Sequence, residues 1–308
     1  MTHPLTTQEA TQELATIRDF IRWGVTHFNQ ADLCYGHGTD NSWDEAVHLV
    51  LSAVHLSPDS DSNVLDSRLI LAEKKQVVAL IERRIKERIP VPYLLKEAWF
   101  AGLPFYVDER VIIPRSPIAE LIDDEFRPWV ESNNVTRVLD LCTGSGCIAI
   151  AVALTFEQAT VDAVDLDQNA LEVAAQNVKK HHVKERVNLI HSDLFDNVSD
   201  QQYDIIVSNP PYVGELEYKN LPAEYYHEPK QALEAGVDGL SLVRRILKQA
   251  QPYLTPNGVL IVEVGLTQEV VEAAFPYIPF TWLQFEQGGE GVFLLTFDEL
   301  VEFSHYFQ

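Results

Sequence analysis

Basic residues are scarce in this chain: 23 Lys and Arg stand against 46 Asp and Glu over 308 residues, a formal net charge of −23. Non-specific binding to a phosphate backbone depends on Lys and Arg displacing condensed counterions, so stable nucleic-acid binding is not expected and a basic partner is favoured. The deficit is uneven, because residues from Val135 onward carry 10 basic and 25 acidic side chains, −15 of the −23. Cysteine is rarer still. Cys34, Cys142 and Cys147 are odd in number and form no C-x-x-C pair, the pattern of reduced intracellular thiols rather than of a disulfide framework. No apolar run approaches the ~18 residues of a membrane span, and MTHPLTTQEATQEL lacks the basic start and apolar core of a secretory signal. A cytoplasmic protein with no membrane partner is expected. Internal repeats and low-complexity tracts are also missing.

What is present is ordinary globular material: 46% apolar and 22% charged residues exclude long disorder, and the length favours two domains. Residues 1–90 read as a helical domain for substrate recognition. Ile17, Phe20, Ile21, Val25 and Phe28 form a helical stripe, with others over 46–56 and 67–89. Over 91–134, Pro90, Pro92, Gly102, Pro104 and Pro114 punctuate short apolar pieces at 98–100, 105–107 and 111–113. This predicts a β-hairpin connector, followed by a helix over 117–129. From 135 to 308 strands and helices alternate. Strands are expected at 137–141, 160–164, 187–191, 203–207, 259–264, 281–285 and 292–296, and helices at 147–156, 169–181 and 239–250. Strands separated by helices build a parallel sheet covered on both faces. The last two are joined too closely for a crossover and should pair antiparallel. An α/β fold with a seven-stranded mixed sheet is expected.

The candidate chemistry sits at the strand ends. After 137–141 comes Cys142-Thr143-Gly144-Ser145-Gly146, a glycine turn opening a helix, where Gly144 and Gly146 allow close backbone approach to a ligand. The turn alone also satisfies G-x-G-x-x-A and leaves a nicotinamide dinucleotide open. Asp165, nineteen residues after Gly146, stands where a carboxylate accepts from ribose hydroxyls, and Asp193 where it would accept from an adenine amine. Together they favour an adenosine-bearing ligand. Asp167 reads as a helix N-cap. The fourth strand runs into Asn209-Pro210-Pro211-Tyr212, a stiff turn whose polar output is carbonyl oxygens and the Asn side chain. Such acceptors suit a planar NH2 group, a poor nucleophile. Asn209 Oδ1 and the Pro210 carbonyl would orient it and stabilise its growing positive charge during attack on a methyl group, with Tyr212 stacking on the flat target.

Asn209 to Tyr212, with Asp140-Leu141 leading into the glycine turn, resembles the HemK-type class I methyltransferases, which methylate glutamine side-chain amides in proteins. Tyr93 to Phe100, Gly102 to Phe105, Val111 to Glu120 and Gly288 to Phe293 resemble its PrmB branch, which acts on the third large-subunit ribosomal protein. The resemblance covers nearly the whole chain. It implies a Rossmann-like fold, S-adenosyl-L-methionine as cofactor with S-adenosyl-L-homocysteine as product, a basic ribosomal protein as substrate, and no metal. By position, Asp140 and Cys142 to Gly146 belong to the cofactor site, Asp165 would hold the ribose, and Asp193 and Leu194 would border adenine. Asn209, Pro210, Pro211 and Tyr212 would hold the glutamine amide, and Arg115 would close over the cofactor. The commoner loop of the family opens with Gly where Cys142 stands, and Leu194 makes the adenine packing aliphatic. Release-factor methylation and adenine-N6 methylation of a nucleic acid are the alternative activities, and an inactive scaffold the alternative class.

Other features have plainer readings. His181 and His182 complement a helix dipole rather than bind metal. Arg83, Arg84, Lys86 and Arg88, interleaved with Glu82 and Glu87, form a solvated helix face. Glu215, Glu217, Glu224, Glu228, Glu234 and Asp238 are either a charged surface loop or a landing strip for a basic substrate.

Overall fold

The computed structural model describes residues 7–57 and 60–307, which form two compact units. The first comprises the residues up to Glu97 together with Pro222–His227. Its principal helices are Ile17–Gln30, Ser42–Ala53 and Leu71–Glu87. The Thr16 side chain accepts from the Asp19 N–H while the Asp19 carboxylate accepts from the Thr16 N–H, and Asn41 Oδ1 accepts from the N–H groups of Trp43 and Asp44. The apolar stripes meet in a core that includes Phe20, Ile21, Phe28, Leu49, Val77 and Ile81. Val91, at the start of the helix Val91–Leu95, is buried in the same core, so the helical unit runs past the boundary expected at Pro90. Arg84 departs from the solvated helix face expected of it. It is fully buried, its guanidinium held by Glu45, Glu224 and the Cys34 carbonyl.

In the second unit, β1 (Ala98–Phe100) and β2 (Leu103–Phe105) form the expected hairpin. No strand forms over 111–113, and none continues past Phe105. The reason is local: the Tyr106 N–H and carbonyl are taken by the Asn177 side chain, and the Ile113 N–H donates to Glu228, so these groups have no need of a partner strand. The helix expected over 117–129 is confined to Ile118–Asp123, because Glu125 and Phe126 adopt positive φ.

The main sheet contains β3 (Arg137–Leu141), β4 (Thr160–Asp165), β5 (Val187–His191), β6 (Tyr203–Ser208), β7 (Leu254–Glu263), β8 (Thr281–Trp282) and β9 (Val292–Thr296). Their order is β5-β4-β3-β6-β7-β9-β8, the first five parallel and β9 antiparallel to both neighbours. Buried apolar clusters cover each face, one including Ile150, Val161 and Val207, the other Leu139, Ile206 and Leu260. Near-continuous apolar runs make the parallel strands, as a sheet packed on both sides requires. The order reverses between β3 and β6. In an open α/β sheet, ligands bind outside the carboxyl ends of the strands at that switch point.

Candidate active site

A cleft opens at that edge, lined by strand ends and by Arg110 to Ile112 and Pro229, Gln231 and Ala232. Four strand ends supply its wall: Cys142 and Gly144 after β3, Asp165 after β4, Asp193 and Leu194 after β5, Asn209 and Pro211 after β6. Of the residues expected from sequence, Asp140, Thr143, Ser145, Gly146, Pro210 and Tyr212 are outside this lining.

Those outside it shape the turn. Asp140 is wholly buried, its Oδ2 accepting from Thr143 Oγ1 at 2.5 Å and from the Ala149 N–H at 3.2 Å. Gly146, at φ +79°, lets two helices approach, since a Cβ there would stand 3.2 Å from Ala174 Cβ. Cys142 occupies the left-handed region at φ +61°, which is the backbone reason a glycine suits this position. Burial and then the Asp165 and Asp140 carboxylates push its thiol up, which favours the protonated form.

Asp140 Oδ1 has no hydrogen-bond partner among the described residues, and burial pushes this carboxyl up to about 7. Linkage sets the direction of its effect on stability. Between the ordinary carboxylate pKa and about 7 the folded chain holds a proton that the unfolded chain has lost, so stability falls as pH rises through that window. In Asp140→Asn that slope flattens, by on the order of a few kcal/mol in all at about 1.4 kcal/mol per pKa unit. Unfolding midpoints of the ligand-free protein from pH 4 to 8 check it, and equal slopes in both proteins would refute it.

Asp165 presents its carboxylate to the cleft while Oδ2 accepts from the Gly144 N–H at 2.8 Å and Oδ1 from the Asp167 N–H at 2.9 Å. Burial raises its pKa. Asp167 caps the helix Gln168–Lys180 through the Asn169 N–H and also accepts from Gln231 Nε2 at 2.5 Å. Asp193 lines the cleft but spends Oδ1 on Arg245, 2.9 Å away.

At the end of β6, Ser208 Oγ donates to the Leu141 carbonyl at 2.9 Å and locks the strand to β3. The Asn209 side chain, in the cleft wall, and the Pro210 carbonyl, outside its lining, then have no hydrogen-bond partner among the described residues. The turn is wedged from behind by Gly239, at φ +77°, where a Cβ would lie 2.2 Å from the Tyr212 carbonyl oxygen. Gly239→Ala therefore displaces the turn and lowers turnover by roughly tenfold or more, as misplacement near a reacting centre does. Steady-state rates on a variant with native cofactor affinity measure this.

Residues 128–238 match the family model described as Methyltransferase small domain. A ribosomal protein uL3 glutamine methyltransferase from Francisella tularensis subsp. tularensis is 54% identical over 306 residues, 98% of each chain. Another from Neisseria meningitidis serogroup B is 52% identical over 295 residues, 95% of this chain and 97% of that one. The chain belongs to the uL3 glutamine methyltransferase family. Its fold is shared with the hMettl16 catalytic domain in complex with MAT2A 3′UTR hairpin 6, at TM-score 0.50 and 17% identity over 73% of this chain and 81% of that one. At that identity the likeness speaks for the fold alone.

Several residues of this methyltransferase site escaped the sequence reading. Glu228, fully buried, binds Arg115 through both oxygens at 2.5 and 2.8 Å and accepts the Ile113 N–H at 2.9 Å. It thereby fastens one cleft wall, Arg110 to Ile112, to the other, Pro229 to Ala232. Arg115, expected to close over the cofactor, forms this clamp. Asn177 Nδ2 donates to the carbonyls of Ser145 and Tyr106, tying the glycine turn to the chain after β2. The acidic segment also reads differently. Glu215 pairs with Lys219, Glu234 with Lys230 and Asp238 with Arg244, while Glu224 and Glu228 are buried in their own clusters. Its charge is answered by Lys219 and Lys230 within the segment and by Arg84, Arg88, Arg115 and Arg244 from outside it. His181, at the end of the helix Gln168–Lys180, has its Nε2 3.0 Å from the Pro104 carbonyl, and burial lowers its pKa. No cluster able to hold a metal occurs among the described residues.

Proposed function

We propose that this enzyme transfers the methyl group of S-adenosyl-L-methionine to the side-chain amide nitrogen (N5) of a glutamine in ribosomal protein uL3, leaving S-adenosyl-L-homocysteine. The observation that carries this reading is Asn209, its acceptor unspent, in the wall of the cleft that Asp165 also lines, within a chain more than half identical to a uL3 methyltransferase. The cleft suits the cofactor chemically. Asp165 offers lone pairs to a ribose diol, Leu194 an apolar border to a base, and the orphaned Asp140 Oδ1, two residues before Cys142, an acceptor for the methionine ammonium. The cofactor supplies an electrophilic methyl whose leaving group is a neutral thioether.

The chain's own part is positioning. An amide nitrogen is a weak nucleophile because its lone pair is delocalised into the carbonyl. Asn209 Oδ1 and the Pro210 carbonyl accept its two hydrogens, hold it in line with the methyl, and stabilise positive charge as the N–C bond forms and the C–S bond breaks. The new bond makes the nitrogen acidic, so its proton leaves to water without a dedicated base. Recognition of the protein substrate falls in this reading to the helical unit. The net charge of −23 favours a basic partner, and the reaction belongs in the cytoplasm. Labelled-methyl transfer to purified uL3 and to a peptide-chain release factor tests the assignment. Label on a uL3 glutamine, located by mass spectrometry, is the expected result, and label only on the release factor would overturn it.

A further inference from the structure

Behind the catalytic turn lies a buried carboxylate that the reaction as described does not use. Glu263 ends β7, beside β6, and only 5% of it is exposed. Its two oxygens have different donors: Tyr212 donates its hydroxyl to Oε1 at 3.3 Å, and Ser116 Oγ donates to Oε2 at 2.5 Å. Ser116 Oγ is itself fixed by the Ile118 N–H at 3.1 Å. The ring of Tyr212 is held from another side. Gly265, at φ +47°, comes so close that a Cβ would stand 2.8–3.0 Å from the ring carbons and hydroxyl. Gly265 is in turn backed by Gly291, at φ +70°, where a Cβ would lie 1.9 Å from the Gly265 carbonyl oxygen, and the Val264 N–H donates to the Gly291 carbonyl at 2.6 Å. The Glu263–Gly265 segment thus meets the Tyr212 ring and hydroxyl directly, with Ser116 behind Glu263 and Gly291 behind Gly265.

That arrangement accounts for where Tyr212 is placed. Outside the cleft lining, it has its hydroxyl on a carboxylate rather than open to a ligand. We propose that Glu263, with Ser116, is a positioning residue for methyl transfer, anchoring the Tyr212 hydroxyl so that Asn209 and the Pro210 carbonyl stay aimed at the substrate nitrogen. This rests on the methyltransferase reading above and adds to it a residue that touches neither substrate. A turn that must present two acceptors to a reacting nitrogen tolerates little play, and prolines stiffen only its backbone. The hydroxyl bond supplies the missing restraint on the residue just after them.

The electrostatics agree. Burial pushes the Glu263 carboxyl up to about 7, against the donors Ser116 and Tyr212 and the Arg115 guanidinium, and burial and the Glu263 charge both raise the Tyr212 phenol. Arg115 and Glu228, themselves paired, are the other charged groups acting on this pair. Below about pH 7 the acid form loses one acceptor oxygen, so the restraint weakens as pH falls.

The test is a double-mutant cycle on the full-length enzyme with uL3 as substrate, using Glu263→Gln, Tyr212→Phe and both together. Each single change should lower kcat by about tenfold, the worth of one hydrogen bond to a charged group, with S-adenosylmethionine affinity by calorimetry within about threefold. The double variant should be no slower than the slower single. Wild-type kcat should fall as pH drops through about 7, and Glu263→Gln should lose that limb. Losses that multiply in the double variant, or Glu263→Gln turning over at the wild-type rate, would overturn the proposal. A wild-type enzyme inactive on uL3 would instead sink the substrate reading. The cycle is then read in unfolding free energy, where Tyr212 and Glu263 must still couple, and additive stabilities would reject the anchor.

Discussion

Replacing Asn209 with Ala lowers kcat for methyl transfer by about 10²–10³-fold and leaves affinity for S-adenosylmethionine within about threefold. The difference lies in when the side chain matters. In the ground state the substrate amide is neutral and hydrogen-bonds to water as well as to Asn209. In the transition state its nitrogen carries positive charge, and an acceptor already fixed beside it stabilises that charge without reorganising. Loss of one such fixed group in a water-excluding site costs two to three orders of magnitude. The binding side is different, because Asp165 and Leu194 stand at other strand ends and keep their places when the amide is gone. Single-turnover rates with labelled cofactor, set beside calorimetric binding, separate the two. Should binding collapse while slow turnover persists, Asn209 would be a cofactor ligand and the assigned roles would be reversed.

The parts of this site visible in sequence are those whose signal is local. A buried parallel strand writes itself as an apolar run, and the residues just beyond its carboxyl end are forced to the ligand edge. For that reason Cys142, Gly144, Asp165, Asp193, Leu194, Asn209 and Pro211 share one cleft. The parts not visible are pairs. Nothing near Glu228 in the chain distinguishes it from Glu217, yet one is sealed against Arg115 across 113 residues and the other has no ion pair among the described residues. Charge counting treats them alike. The same holds for Glu263, whose meaning depends on Ser116 and Tyr212 arriving from two other segments. The connector shows the converse failure. Its apolar β-branched residues 111–113 have the composition of a strand, but Val111 and Ile112 line a cleft and Ile113 gives its N–H to a side chain.

Arg84 is the instructive miss, since its signal was local and was overridden by composition. Val77, Ile81 and Arg84 fall at the four- and three-residue steps of a buried helical stripe, while basic neighbours make Arg84 read as part of the solvated face. It is the largest charged side chain in the core of the helical unit. Its Nε donates to Glu45 Oε1 at 2.8 Å, Nη1 to Glu224 Oε1 at 3.3 Å, and Nη2 to the Cys34 carbonyl at 2.8 Å. Glu224 Oε1 also takes Arg88 at 3.2 Å and the Cys34 N–H at 3.1 Å. Burial pushes Glu45 up despite Arg84. For Glu224 burial works the same way but is outweighed by the Cys34 N–H and the guanidinium groups, which hold it below the usual range.

Arg84→Ala therefore strands Glu45 with no cation, leaves a carbonyl unanswered and opens a cavity, for a loss of about 3–5 kcal/mol from the helical unit. Arg84→Lys should recover little, because a compact ammonium lacks the rigid fork of donors that reaches Glu45, Glu224 and the Cys34 carbonyl from separate nitrogens. The loss should shrink as pH falls, since a stranded Glu45 escapes its penalty by taking up a proton. Adding Glu45→Gln should relieve the same penalty at any pH. Two compact units need not unfold together, so the readout is amide-exchange protection along Leu71–Glu87 at pH 6 and 8 rather than one melting temperature. A loss below about 1 kcal/mol, the size seen for exposed ion pairs, would mean that water reaches this cluster and that the guanidinium is not what closes the core.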